Sequence, residues 1–360
     1  MYATPPHECA RVSEKARPNP EAKRARHGRY AWIIAGTAAL LTAVLPGATL
    51  PAAATTQHGS ADRIYVADSG SDSVSVISAE TEKVVKTIAV GDLPTGVAVD
   101  PPRSRAYVTN LLADTVSVIN TRTEEVITTI TVGDEPRNVA VDSTRARAYV
   151  VNENSDSVSV INTNTNTVVA TITVGDEPWG VAVDPGRARA YVSNETSQSV
   201  SVINTDTNAV IATVPVGVNP RGLAVDPSRA RVDVTNFTDD TVSVINANTN
   251  VVTATVPAGN GPFAVEEEPS RARAYVADNN QSAVSVIDTT SNEVVALIHV
   301  GNDPSGVAVD ESRDRAYVTN FGDGNVSVIN TKKERVVATI RVGGGPIGIA
   351  LVERDSKRNR

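Results

Sequence analysis

Ala106-Tyr107-Val108-Thr109-Asn110 returns, with small changes, along almost all of the chain after residue 60. Its tyrosine recurs as Tyr65, Tyr149, Tyr191, Tyr275 and Tyr317, Asp233 holds the one remaining place, and every step is 42 residues. Nothing is inserted or lost between copies. A period of about 40 to 45 residues made of short β-type runs predicts a propeller in which each repeat builds one four-stranded blade.

One copy shows how. Gly180-Val181-Ala182-Val183 is a short apolar run ended by the turn signal Asp184-Pro185-Gly186, and it reads as an inner strand. Ala190-Tyr191-Val192-Ser193 follows and stops at Asn194, whose side chain is expected to bond its own backbone in a turn. Ser199 to Ile203 is the third run, with Asn204-Thr205-Asp206-Thr207 as its hairpin loop. Val210 to Val214 is the fourth, and threonines in a sister copy (Thr128, Thr129) mark it as an outer edge facing water. Connections this short permit only antiparallel neighbours, because a parallel return needs a crossover of a dozen or more residues.

A single meander of this kind leaves both faces wet, whereas seven placed radially cover one another. The ends of the array fit that arrangement. The repeats begin at Ile64-Tyr65-Val66, a second strand, and finish at Pro346-Ile347-Gly348-Ile349-Ala350-Leu351, a first strand. The C-terminal run therefore completes the blade that the N-terminus begins, and closure removes two open sheet edges. The expectation is an all-β, seven-bladed β-propeller over residues 63–352.

Length alone, 360 residues, would suggest two or three domains, but the periodicity overrides that count. Only 4% of residues are aromatic and the apolar residues are mostly Val, Ile and Ala, which suits thin sheets and argues against an α/β enzyme. Cys9 is the only cysteine and precedes an apolar run. The repeats thus have no disulfide, thiol nucleophile or thiolate metal site. Residues 1–54 carry seven Lys/Arg and three Glu, so the formal −8 of the whole chain becomes −12 for the remainder. Such an acidic body disfavours phosphate backbones, and no nucleic-acid partner is expected.

Lys23, Arg24, Arg26 and Arg29 precede an uncharged run from Trp32 to Leu45, which Pro46-Gly47 breaks before the A-x-A-like Leu50-Pro51-Ala52-Ala53-Ala54. We read residues 1–54 as a secretory signal peptide, with an uncleaved anchor through residues 31–54 as the alternative. Both readings place the repeats outside the membrane, secreted or held at the cell surface. Residues 55–62 form a linker and residues 353–360 a charged tail.

Tyr-Val-Thr-Asn at 107–110 and 317–320, Thr-Val-Ser-Val-Ile-Asn at 115–120 and 241–246, and Val-Val-Ala-Thr-Ile at 168–172 and 336–340 together resemble the YVTN-type β-propeller repeat family. The resemblance covers about residues 63–352. It implies a seven-bladed propeller, of a kind common in exported and cell-surface proteins of bacteria and archaea. It implies little chemistry, since many such proteins are binding or surface-layer modules. Streptogramin lyases, related propellers, use active-site histidines and a glutamate with a divalent metal. After the leader this chain retains only His58 and His299, one in the linker and one on an outer strand, so that acid/base pair is missing.

Shared positions describe the scaffold, so functional information lies where the copies disagree. The position after the loop proline reads Thr95, Arg137, Trp179, Arg221, Phe263, Ser305 and Ile347 around the ring, at the end we call the top. The other top loops supply Phe237 and Phe321. Arg137, Trp179, Arg221, Phe237, Phe263 and Phe321 could line a funnel suited to a planar, sugar-like or anionic ligand. The competing reading is that these aromatics plug the channel mouth.

A second irregularity lies between the fifth and sixth blades. Asp233 replaces the repeat tyrosine, and Glu266-Glu267 replaces the Ala-Val pair seen at Ala308-Val309. Ionised glutamates on a covered strand cost several kcal/mol unless paired, protonated or bound to a cation. They are expected to reach channel water or pair with Arg231 and Arg271; a Ca²⁺ site or an acid/base carboxylate pair are the alternatives. At the opposite end, Arg-x-Arg recurs at 145/147, 187/189, 229/231, 271/273 and 313/315. Asp142, Asp184, Asp226 and Asp310 stand three to five residues ahead, which predicts local ion pairs.

The sequence reading is therefore an exported, monomeric, non-enzymatic module that binds a small molecule, glycan or protein at its top, without a cofactor. An extracytoplasmic metal-assisted lyase or lactone hydrolase using Asp233, Glu266 or Glu267 is the alternative. A structural surface-layer component is the third.

Overall fold

A computed structural model describes residues 62–352. The expected leader, nearly all of the linker and the charged tail lie outside the described residues. The repeats form 28 strands in seven four-stranded antiparallel sheets. Blade 1 joins Pro346–Val352 to Arg63–Asp68, Ser73–Ser78 and Lys83–Ala89, in that order from the inside. Blades 2 to 7 follow at residues 94–131, 136–173, 178–215, 220–257, 262–299 and 304–341. Successive inner strands lie side by side, and that of blade 1 lies between those of blades 7 and 2, so the ring is closed. Tyr65 pairs with Ala350 in the closing blade, as the sequence ends require.

The core lies between blades. The repeat tyrosine and the apolar residues of the middle strands pack on the inner strand of the following blade: Tyr107 with Val139, Tyr149 with Val181, Tyr275 with Val307. All six tyrosines have no exposed surface. Each fully buried Val or Ile in these layers contributes about 1.5–3 kcal/mol. Outer strands bury little beyond one Ile or Val near their end, such as Ile130, and leave Val and Ile as well as Thr in water, among them Ile127 and Val169.

The asparagine that ends the second strand does not turn back on its own backbone. Asn110 Nδ2 donates to Thr115 Oγ1 at 3.0 Å and Ser117 Oγ at 2.9 Å on the third strand, while its Oδ1 accepts from the Gly91 N–H at 3.2 Å. A Cβ on Gly91 would lie 2.6 Å from that amide, which explains why a glycine faces the asparagine.

At the bottom end the arginines pair locally, as expected. Asp100, Asp142, Asp184, Asp226 and Asp310 close their inner strands fully buried and pair with the arginine three residues on. The same arginines also reach the next blade: Arg145 Nη1 donates to the Pro185 carbonyl at 2.8 Å and Nε to Asp206 at 2.6 Å. This ring is cross-bracing between blades.

Candidate functional site at the channel mouth

Both sets of top loops converge on the start of the inner strands, with Glu153 N–H donating to the Glu135 carbonyl and Phe237 N–H to that of Asn219. In four of the seven blades a hydroxyl on the second strand, at Thr109, Ser193, Thr235 or Thr319, fixes the backbone at the mouth. Thr109 Oγ1 accepts from Gly96 N–H at 2.8 Å and donates to the Arg137 carbonyl of the next blade at 2.9 Å. Ser193 does the same between Gly180 and Arg221, and Thr235 between Gly222 and Phe263. Close approach is essential here, since a Cβ on Gly180 would lie 2.3 Å from the Arg221 carbonyl oxygen. These hydroxyls were not singled out from sequence; the signal was the small polar residue in the third place of Tyr-Val-Thr-Asn, set against a glycine.

Five of the six candidate residues come together. The Arg137 guanidinium carbon lies 4.0 Å from the Trp179 ring centre, and that of Arg221 lies 4.6 Å from Trp179, 3.7 Å from Phe237 and 5.2 Å from Phe263. Trp179 meets Phe263 edge-on at 5.8 Å, and Phe237 meets Phe263 edge-on at 6.3 Å. Phe321 is at the same end, beside Gly345, and among the described residues its ring meets none of the cluster's rings.

The charges are matched. Arg137 pairs with Glu153, and Arg221 Nη2 donates to Glu195 Oε1 at 3.1 Å, which also accepts from Asn219 Nδ2 at 3.1 Å. Arg221 is 4% exposed and its Nε–H is buried without a hydrogen-bond partner. Trp179 is 8% exposed, so ring faces and guanidiniums largely cover one another.

The acidic irregularity is differently arranged. Arg231 Nε lies 2.8 Å from Asp233 Oδ1 and 3.6 Å from Glu267 Oε1, and all three side chains are nearly or fully buried. Burial and the adjoining Asp233 push Glu267 strongly up, while burial raises Asp233 against the pull of Arg231. Arg231 thus pairs as expected. Arg271 does not: it turns to Glu268 and Asp314. Glu266 stands apart, half-buried, and burial pushes it up to about 7. Among the described residues no group of three or more His, Cys, Asp or Glu is arranged to hold a metal ion.

The chain is a seven-bladed β-propeller. Residues 97–254 match the model of the lactonase, seven-bladed β-propeller family, and residues 25–142 that of the YNCE-like β-propeller family. Each match covers less than half of the chain. No curated protein matches it. Among solved structures, a functionally unknown protein from Desulfotomaculum acetoxidans DSM 771 is 16% identical with a TM-score of 0.73, over 81% of this chain and 99% of that one. A putative 6-phosphogluconolactonase from Bacteroides fragilis NCTC 9343 is 14% identical with a TM-score of 0.71, over 83% and 99%. Kuenenia stuttgartiensis hydrazine synthase is 19% identical with a TM-score of 0.67, over 73% and 96%. At these identities the likeness is one of fold.

Proposed function

We propose that this propeller, of YVTN-repeat type, is an exported, non-enzymatic binding module whose ligand sits at the top channel mouth. One observation carries the reading. The position after the loop proline carries six residue types in seven copies, and four of its side chains, Arg137, Trp179, Arg221 and Phe263, gather into one cluster with Phe237. A scaffold under only structural demand has no need of Arg, Trp and Phe on equivalent sites that meet at the axis, and aromatic walls with a few charged groups are what small-ligand sites present. Thermal-shift screening identifies the ligand. Substituting Trp179 and Phe263 by Leu, which keeps apolar bulk in the cluster but removes the rings, then abolishes its binding while the chain still melts cooperatively, and unchanged binding removes the assignment.

A second reading rests on the lactonase model over residues 97–254 and on Glu266, a half-buried acid poised near neutrality. Asp233 and Glu267, with 0% and 6% exposure, have no access to a substrate. This reading therefore narrows to Glu266. Hydrolysis of a lactone panel that Glu266→Gln eliminates, with or without added Ca²⁺, would establish it in place of the first.

A further inference from the structure

The geometry points to an organic cation, a guanidinium or substituted ammonium group, as the ligand of the channel mouth; this rests on the mouth being the binding site. Three aromatic rings, Trp179, Phe237 and Phe263, stand 3.7 to 5.2 Å from a single guanidinium, that of Arg221. Glu195 supplies the counter-charge at 3.1 Å. Rings that present their negative faces to a cation, with a carboxylate alongside, form an aromatic cage, and its present occupant is the chain's own arginine.

The surroundings select the same sign of charge. The loops at this end contain no Lys or Arg, and Asp176, Glu177, Asp239, Asp240, Asp303 and Asp323 stand exposed on them. With Arg137 and Arg221 each matched by a glutamate, the mouth itself is neutral inside an acidic rim. Such a field draws cations in and repels anions over a Debye length of about 8 Å at physiological salt. The orphaned Nε–H of Arg221 shows that its present seat leaves a buried donor unsatisfied, a defect relieved when the guanidinium moves out to water. A ligand cation then takes its place between the rings and against Glu195.

The test is calorimetric titration of the full chain with five probes. Choline represents a free quaternary ammonium and N-acetyl-Gly-Arg-Gly-amide a peptide guanidinium. The controls are 3,3-dimethylbutan-1-ol (choline's uncharged counterpart), benzoate and maltose. Either cation should bind, more weakly as salt rises, while the controls do not. Arg221→Ala, which empties the cage, should bind the cation at least tenfold more tightly, and Trp179→Ala should lose it. Arg221→Gln, which keeps a donor for Glu195, replaces Arg221→Ala if the latter fails to fold. Which of the two cations binds better separates a small-molecule source from a peptide one. Binding of benzoate or maltose that Trp179→Ala removes overturns the cation class and leaves the mouth as the site. Absence of cation binding in both wild type and the Arg221 variant, or cation binding that survives Trp179→Ala, overturns the inference.

Discussion

Asp233 faces Glu267 across the junction of blades 5 and 6, at the place where each of the other six junctions sets a buried tyrosine against aliphatic side chains. Two substitutions on separate strands thus meet in one contact, with Arg231 beside them. Buried ion clusters are often less stabilising than the packed apolar residues they replace, by about 1–4 kcal/mol, although removing one partner costs about 3–5 kcal/mol. Restoring the pattern with Asp233→Tyr and Glu267→Val together should stabilise the chain, whereas Arg231→Ala alone should destabilise it by that larger amount. Urea unfolding of the two variants checks this, and a destabilised double variant would show that the cluster is the better solution at this junction.

Asp68 and Asp278 stand where five blades carry the bridging asparagine. Ser75 donates to Asp68 Oδ2 at 2.6 Å and Ser285 to Asp278 Oδ2 at 2.7 Å, but the Oδ1 of each is buried without a hydrogen-bond partner. Burial pushes both from the ordinary 3.8 to about 6. The folded chain therefore keeps these protons up to about pH 6, whereas the unfolded chain releases them near 3.8. The stability so gained is complete below about pH 4, falls as pH rises to about 6, and stays lost above it. Asp68→Asn and Asp278→Asn, which supply the missing amide donor, should each add on the order of 1–3 kcal/mol at pH 7 and flatten the decline between pH 4 and 6. Melting curves at pH 4, 5, 6 and 7 are the measurement.

The propeller and its closure were legible because Tyr65 to Tyr317 mark a period that no insertion disturbs, and a period needs no knowledge of side-chain contacts. The mouth was legible in part for the same reason: Arg137, Trp179, Arg221 and Phe263 occupy one register and must share one end. How the arginines would sit was not, because Glu153 and Glu195 lie on other loops, and pairing across loops depends on distances the sequence does not carry. Glu266 and Glu267 illustrate the limit well. Adjacent residues on a strand point to opposite faces, so an apparent carboxylate pair separates into one half-buried acid and one sealed against Arg231.

Ser193 joins two blades and fixes the backbone under two mouth residues, taking the Gly180 N–H at 2.9 Å and giving its own proton to the Arg221 carbonyl at 2.6 Å. Both bonds are buried. Ser193→Ala leaves a donor and an acceptor unpaired, at about 1–3 kcal/mol for a buried group, without removing any side chain of the cluster. A loss of stability in that range, accompanied by weaker binding at the mouth, is the expected result. Chemical denaturation paired with ligand titration reads both, and a variant with native stability would mean that water replaces the hydroxyl.

Ala188 closes the turn between the first two strands of blade 4 with φ of 52°, in the left-handed region that costs a residue bearing a Cβ about 1–2 kcal/mol. The equivalent turns place Ser104, Ala146, Ala230, Ala272 and Asp314 at φ between 51° and 56°, so no copy uses glycine there. The Ala188 carbonyl accepts from Thr205 N–H at 3.1 Å, a backbone bond that glycine retains, and the side chain contributes only a methyl group. Ala188→Gly should therefore raise stability by about 0.5–1 kcal/mol, the relief of strain outweighing the greater freedom glycine gives the unfolded chain. The same change at Ala272, likewise only partly buried, should add to it, since sites on separate blades lie far enough apart to act independently. Differential scanning calorimetry of the single and multiple variants measures it; a fall in Tm would mean that the unfolded-state term dominates these turns.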